Sequence, residues 1–288
     1  MNWKALHFPS MNEMHIDQNL EYKQRFGGIS RLYGLHGLEN LKSSSVLVVG
    51  LGGVGSWAVE SLARSGVGTI TLVDLDDICI TNTNRQIHAS SENYGKQKGE
   101  VLKKRILSIN PNCQVHFRED FFTEKTAMAI LDAQYDYAID AIDSLHNKCL
   151  LYSLCKERNI PLIITGGTAG KVNPTLIQVG DLGDSFNDSL LFRMRKKLRQ
   201  EFNVPNASKF TPTKRQKFHA QCVFSPEEPL FPTVDGGICT TPDPESNLKM
   251  DCETGMGSVS HLTAIFGFMA AGHVINTIAK KLTNFNKS

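Results

Sequence analysis

The sequence predicts an α/β fold: a doubly wound, mostly parallel Rossmann-like sheet with an irregular C-terminal substrate-binding region. Three observations lead there. Short apolar β-branched runs alternate with helical stretches from Val46 to Thr165, the pattern of a parallel sheet covered on both faces. A glycine-rich turn, Gly50-Leu-Gly52-Gly53-Val-Gly55, lies between the first run and the first helix. The alternation then fades after Gly170, and Pro205 to Lys249 holds seven of the eleven prolines. With 288 residues, 41% of them hydrophobic and 21% charged, the chain can bury a sizeable core, which argues against a disordered or fibrous protein.

Val46-Leu-Val-Val-Gly50 is apolar throughout and stops at glycine, the mark of a buried parallel strand. Gly53 to Ser65 reads as a helix with Trp57, Val59, Leu62 and Ala63 on its apolar side. Thr69 to Asp74 is the next strand, Lys96 to Ile109 a helix that stops before Pro111, and Gln114 to Arg118 an alternating strand. Thr123 to Ala133 is a helix, Tyr137 to Asp140 a strand, Asn147 to Arg158 a helix and Pro161 to Thr165 a strand. Beyond it, Thr175 to Val179, Val223-Phe224 and Thr233-Val234 are short strand candidates, and Ser189 to Phe202 and residues 254–282 are helices. The chain divides into an N-terminal tail (1–24), a core that carries the glycine-rich turn (25–180) and a segment (181–288) in which a basic helix, a proline-rich loop and a last helix complete the same domain.

Seven scattered cysteines with no C-x-x-C pair argue against a zinc site and for a reducing, cytoplasmic compartment. Met1 to Asn19 has no apolar run of a secretory signal. Thr254 to Ala279 is long enough to span a bilayer and lacks Asp, Glu, Lys and Arg, but His261, His273, Asn276 and four glycines interrupt it; a buried helix, and no membrane association, is the expectation. The net charge of +2 is unevenly spread. Ser189 to His219 carries nine basic residues against the single acid Glu201. Such a segment on an otherwise acidic body suggests contact with a polyanion such as a nucleic acid, with Arg193, Arg195, Lys196, Lys197 and Arg199 on the helix as the binding candidates.

The glycine turn places Gly50, Gly52, Gly53 and Gly55 where backbone N–H groups and a helix N-terminus meet phosphate. Asp74, 24 residues after Gly50, ends the second strand where a carboxylate accepts from ribose hydroxyls, and Asp76 joins it as a nucleotide-binding candidate. Asn82, Arg85 and Lys98 follow within one loop and helix start. A dehydrogenase has no evident need of them. An adenylation site does, because negative charge develops on the α-phosphate as pyrophosphate leaves. Asp140 and Asp143, in Ile139-Asp-Ala-Ile-Asp-Ser144, come at a strand's carboxyl end, and carboxylates beside phosphates read as Mg²⁺ ligands.

GLGGVGSW, LVDLDDICITNTNRQ, GKQK and IDAIDS together resemble the ubiquitin-activating-enzyme-like adenylating enzymes, over roughly Arg25 to Gly180. The resemblance implies ATP as cofactor, ribose binding by Asp74, phosphate contacts by Asn82, Arg85 and Lys98, and Mg²⁺ at Asp143. It also implies a homodimer in which an arginine, matched to Arg31 with Arg25 as alternative, reaches the neighbouring γ-phosphate. The biosynthetic relatives carry two zinc C-x-x-C pairs; this sequence has none. A closer resemblance, through ArgPheGlyGly at 25–28, SerTrp at 56–57, ThrAsnThrAsnArgGln at 81–86, CysValPheSer at 222–225 and MetAspCys at 250–252, is to the subfamily that uses ATP to cyclise threonylcarbamoyladenosine in tRNA. It implies carboxylate adenylation followed by ring closure. Cys252 stands as a catalytic candidate, since related enzymes pass acyl groups to a cysteine, against the reading of a structural thiol. Also open are adenylation of a protein C-terminus or small carboxylate for sulfur transfer, an NAD-dependent oxidoreductase, a cysteine desulfurase or sulfur acceptor as partner, and a monovalent cation in the proline-rich loop.

Overall fold

A computed structural model of the chain describes residues 18–202, 217–242 and 256–281. Seven strands form one sheet. β1 (Ser45–Val49), β2 (Thr69–Val73), β3 (Gln114–Arg118), β4 (Tyr137–Asp140) and β5 (Leu162–Thr165) are joined by α2 (Gly55–Arg64), α3 (Lys98–Ile109), α4 (Ala127–Ile130) and α5 (Leu145–Glu157). β6 (Gln178–Asp181) and β7 (Gln221–Phe224) complete it in the order β3-β2-β1-β4-β5-β7-β6, with only the β6–β7 pair antiparallel. β1 runs outward to β2 on one side and to β4 on the other. Its carboxyl end is therefore the point where the winding reverses, and there a parallel sheet opens a crevice for a ligand.

Two apolar layers hold the sheet. On one face Val46, Val48, Ile70 and Leu72 pack with α2, α3 and the last helix, α7 (Ser260–Ala279); on the other Leu47, Val49, Ala138 and Ile164 pack with α4, α5 and α6 (Ser189–Glu201). Strands buried on both faces have no polar side to show, which is why they read as continuous apolar runs. α7 lies along α2 so closely that a Cβ at Gly267 would meet the Val54 carbonyl at 2.5 Å. It is long and apolar enough to cross a membrane, but Leu262, Phe266, Val274 and Ile278 are spent on this contact, at about 1.5–3 kcal/mol for each side chain removed from water.

The differences from the sequence-based expectations have local causes. A helix, α1 (Gln18–Ser43), begins inside the stretch read as a tail. Gly34 breaks its periodicity with φ +77°, so no single amphipathic stripe runs through it. Its Tyr33 hydroxyl meets the Asn276 side chain of α7 at 3.0 Å. The helix expected over 123–133 shrinks to Ala127–Ile130 because the Thr126 hydroxyl accepts from the Thr123 N–H at 2.9 Å, a local bond that competes with helix. Asn173 likewise caps a short 3₁₀ turn at Pro174–Leu176, which delays the strand to Gln178. Thr233-Val234 forms the turn of a hairpin between β8 (Phe231–Pro232) and β9 (Ile238–Cys239). β7, expected as a short piece of a loop region, sits within the sheet with Cys222, Val223 and Phe224 buried.

Two buried titratable features bear on stability, an ion pair and an unpartnered histidine. Asp140, at the end of β4, and Lys148, on α5, are both fully buried and form an ion pair at 2.8 Å. The second group, His88, is 2% exposed and neither ring nitrogen has a hydrogen-bond partner. Burial first, and then the Lys98 ammonium, hold its pKa at about 4, below the ordinary 6.5.

Both groups give testable stability effects. Lys148→Ala strands a buried carboxylate and should cost about 3–5 kcal/mol by denaturant unfolding, while Asp140→Asn with Lys148→Met recovers much of it; a loss below about 1 kcal/mol would show the pair to be dispensable. Between pH 6.5 and about 4, His88 takes up a proton only in the unfolded chain, so its contribution is complete above that window and is lost as pH falls through it. The loss amounts to at most roughly 3 kcal/mol. His88→Gln should flatten this part of the stability–pH curve, and an unchanged slope would contradict the assignment.

Candidate nucleotide site

The glycine turn is shaped by close backbone approach. Gly50 has φ +89°, and a Cβ there would meet the Ala141 carbonyl at 2.6 Å. At Gly55 a Cβ would collide with the Gly50 carbonyl. Only glycine fits at either place. The turn thus folds onto the start of α2 while touching the loop that follows β4, across the switch point of the sheet.

Asp74 fastens the turn from the β2 side. One carboxylate oxygen accepts from the Leu51 N–H at 2.6 Å and the other from the Asp76 N–H at 2.8 Å. Burial pushes its pKa up, opposed by the Lys98 ammonium and by these two backbone donors. Lys98, whose side chain is 7% exposed, pairs with Asp76 at 2.7 Å. Backbone pairing places it there: Ile78 N–H donates to the Lys96 carbonyl and Lys98 N–H to the Asp76 carbonyl. Asp74, Asp76 and Lys98 form one electrostatic group beside the glycine turn.

The loop after Cys79 carries the other candidates. Asn82 is buried, and its side-chain oxygen accepts from the Cys79 N–H at 3.0 Å. This closes a capping box on the 3₁₀ turn Ile80–Asn82 and leaves the amide NH₂ for a ligand. Arg85 is half-buried, and its guanidinium donates to the Thr81 carbonyl at 2.8 Å and the Asn84 side chain at 3.0 Å. The Arg85 carbonyl accepts from Trp57 Nε1 at 3.0 Å and from the Thr263 hydroxyl at 3.1 Å. Asn84 donates to the Ser258 carbonyl at 2.8 Å. Trp57 on α2 and Thr263 on α7 therefore brace the loop from both sides, and Gly53 packs against Thr263 and Arg85. Thr263 escaped the sequence reading, which saw its surroundings only as an apolar helix. Trp57 is visible in the sequence as an apolar helix position and within the motifs that carry the resemblance, but not as a brace for the Arg85 loop. Ser56 Oγ and Gln86 Oε1 are buried beside this turn without partners, and Gln86 Nε2 would lie 3.8 Å from a Cβ at Gly52.

The carboxylates after β4 divide. Asp140, read from sequence as a possible Mg²⁺ ligand, is committed to Lys148 and to the Ile142 N–H at 3.0 Å. Asp143 is exposed at the entrance to α5. Among the described residues no three His, Cys, Asp or Glu side chains cluster as a ready-made metal cage. A single open carboxylate still fits Mg²⁺, which is commonly held by one or two carboxylates together with substrate phosphates and water. Arg31 lies on α1 and is exposed. The alternative, Arg25, is tied to Glu21 and to the Ile109 carbonyl. Cys252 lies outside the described residues.

α6 sorts its basic residues by face. Phe192, Arg193, Lys196 and Gln200 are exposed, while Leu191, Met194 and Leu198 are buried. Arg195 donates to the Leu182 carbonyl at 3.2 Å and to Ser185; Lys197 pairs with Glu201; and Arg199 lies over the Phe218 ring at 5.2 Å. The fold brings Arg193 and Lys196 to the open face and turns Arg195 and Arg199 toward the protein. Lys209, Lys214 and Arg215 lie outside the described residues.

The chain is similar to known proteins along most of its length. The chain is 44% identical to the tRNA threonylcarbamoyladenosine dehydratase of Escherichia coli (strain K12) over 261 residues, 90% of this chain and 95% of that one. It is 38% identical to the protein of that name from Bacillus subtilis (strain 168), over 86% of this chain and 92% of that one. Among solved structures, TcdA (CsdL) superposes with a TM-score of 0.81 at 42% identity, covering 91% and 96% of the two chains. E. coli TcdA in complex with ATP superposes with a TM-score of 0.78 at 41% identity, covering the same shares. The ThiF family model matches residues 26–288. The glycine turn, its carboxylate latch and its braced Asn–Arg loop are thus those of a chain that belongs to the ThiF family.

Proposed function

We propose that this protein is an ATP-dependent adenylating enzyme that cyclises threonylcarbamoyladenosine in tRNA. The observation that carries the proposal is the braced Asn82–Arg85 loop beside the glycine turn latched by Asp74, in a chain similar along nine-tenths of its length to relatives of that named activity. A threonine carboxylate is a poor electrophile because its leaving group would be oxide. When one of its oxygens attacks the α-phosphorus of ATP, the bond to the β-phosphate oxygen breaks and pyrophosphate departs. The resulting acyl-adenylate has AMP as its leaving group. A nitrogen or oxygen of the same modified side chain then attacks the acyl carbon, loses its proton and expels AMP. Because that step is intramolecular, positioning supplies much of the rate.

The residues divide this work. The glycine-turn N–H groups and the α2 N-terminus receive phosphate. Asp74 and Asp76 hold the ribose side. Arg85 and Lys98 are poised to trade their present partners, Thr81, Asn84 and Asp76, for phosphate oxygens as charge grows at the α-phosphate. Mg²⁺, held by Asp143 and ATP, would neutralise phosphate charge. Arg31, exposed and upstream of the turn, serves the partner's site in a homodimer. The open row of α6 meets tRNA phosphates in the cytoplasm.

Pyrophosphate release from ATP, measured with and without tRNA, tests the reading: release should depend on tRNA carrying the modified adenosine. Release driven equally well by a peptide C-terminus, with no tRNA effect, would replace this reading with the sulfur-transfer one. Asp74→Ala should weaken ATP binding at least tenfold. Arg85→Ala and Lys98→Ala should mainly lower turnover, by about 10²–10³-fold; equal losses in ATP binding and turnover would remove their transition-state role. An Arg31→Ala chain mixed with an Asp143→Ala chain should regain activity, since one site of the mixed dimer is intact. No recovery despite proven chain exchange would exclude action across the dimer.

The two faces of α6 make a separate prediction. Arg193→Ser with Lys196→Ser should weaken tRNA binding and reduce the slope of log affinity against log salt by roughly one for each lost phosphate contact. Arg195→Ser with Arg199→Ser should change the slope less. Equal effects from both pairs would contradict the facing seen here.

A further inference from the structure

Along the β7–β6 side of the sheet lies a cavity of about 540 Å³ formed by the loop after β6, the first turns of α6 and the loop that leaves the carboxyl end of β7. β1, β4, β5 and β7 are successive parallel neighbours, so the β7 end of the cavity is displaced from the crevice at the end of β1 by three strands, about 14 Å along the sheet. Its walls carry two exposed aromatic rings, Phe186 (45%) and Phe192 (60%), together with Arg195, Asn187, Glu228 and Pro229. None of these residues is used by the adenylation chemistry.

The walls are pre-set. Phe186 rests edge-on against Phe224, ring centroids 5.9 Å apart. Arg195 is held by the Leu182 carbonyl and Ser185, with its guanidinium carbon 5.9 Å from the Phe192 ring centre. The Asn187 loop is pinned by Lys171, a 4% exposed ammonium that donates to the carbonyls of Asn187 at 3.0 Å and Ser225 at 2.6 Å. Asn187 in turn donates to the Pro226 carbonyl at 2.7 Å. Rings held open to solvent by a rigid frame incur little ordering cost when something flat covers them.

We infer that this cavity receives an unpaired nucleobase of the RNA, stacked on Phe192 and Phe186, next to the nucleotide being modified. The inference rests on the proposed function and deepens it. Charge selects the occupant: the open face of α6 that carries Phe192 also carries Arg193 and Lys196, so a strand whose phosphates follow that row brings its bases to the ring. Single-stranded RNA is recognised in this way, by aromatic and guanidinium planes beneath splayed bases and by hydrogen bonds to base edges. Glu228 and Asn187 are the groups placed to meet such an edge: an exposed carboxylate accepts from an amino or ring N–H group and repels phosphate. A duplex, whose bases are already stacked, has nothing to insert.

The test compares a hairpin RNA with an unpaired loop, carrying 2-aminopurine beside the adenosine to be modified, with a duplex RNA of equal charge. Phe192→Ala and Phe186→Ala should each weaken hairpin binding about tenfold or more, abolish most of the 2-aminopurine quenching, and leave duplex binding, the salt slope and ATP binding unchanged. Phe192→Trp should preserve the quenching. Unchanged hairpin affinity, or an equal loss on the duplex, would overturn the inference. If the unsubstituted protein binds no hairpin at all, the proposed function fails with it; if it binds and the substitutions have no effect, only the base pocket fails.

Discussion

Asp74 is a carboxylate taken almost out of water at the end of a strand, and the site is organised around how its charge is met. Two backbone N–H groups meet it directly, one from the glycine turn after β1 and one from the loop after β2. Lys98 meets it at longer range and is itself paired with Asp76. An ionised carboxylate that loses such donors in a buried place becomes costly. The turn, the β2 loop and the start of α3 are therefore coupled, and none can shift without exposing the charge. The coupling matters chemically because, in the proposed function, the glycine turn would offer N–H groups to phosphate only while it holds its shape.

The second layer of support comes from the end of the chain. α7 lies against α2 and brings Thr263 to the Arg85 carbonyl, while Ser258, just before it, receives Asn84. Thus a helix remote in sequence sets the path of the loop that carries Asn84 and Arg85. On the opposite flank, the Asp140–Lys148 pair is buried under the loop that carries Asp143. A buried pair adds little to stability against an apolar alternative, but it fixes where the β4 strand ends, and Asp140 also takes the Ile142 N–H.

Much of this is legible in the sequence. The strands show in Val46–Val49 and Thr69–Val73 because both faces are buried, and the glycine turn shows because its sterics admit no other residue at Gly50 and Gly55. What stayed hidden depends on pairs of residues far apart. Nothing near Asp140 announces Lys148, so a structural carboxylate looked like a metal ligand. Thr263 looks like any polar residue in an apolar helix until Arg85 is placed beside it. α1 is concealed by its breaks at Phe26 and Gly34, and β7 by the prolines around it, although Cys222, Val223 and Phe224 are buried. The basic run of α6 was visible, but its division into an open row and an inward row needs the packing of Leu191, Met194 and Leu198 to orient the helix.

The central claim is that the latched turn and the Asn–Arg loop form an adenylation site for ATP, a chemistry a dinucleotide redox enzyme does not share. Calorimetric titration of the unsubstituted protein with ATP and, in parallel, with NAD tests it most directly. ATP should bind saturably in the presence of Mg²⁺, and NAD should give no comparable heat. Tight binding of NAD with no measurable binding of ATP would contradict it.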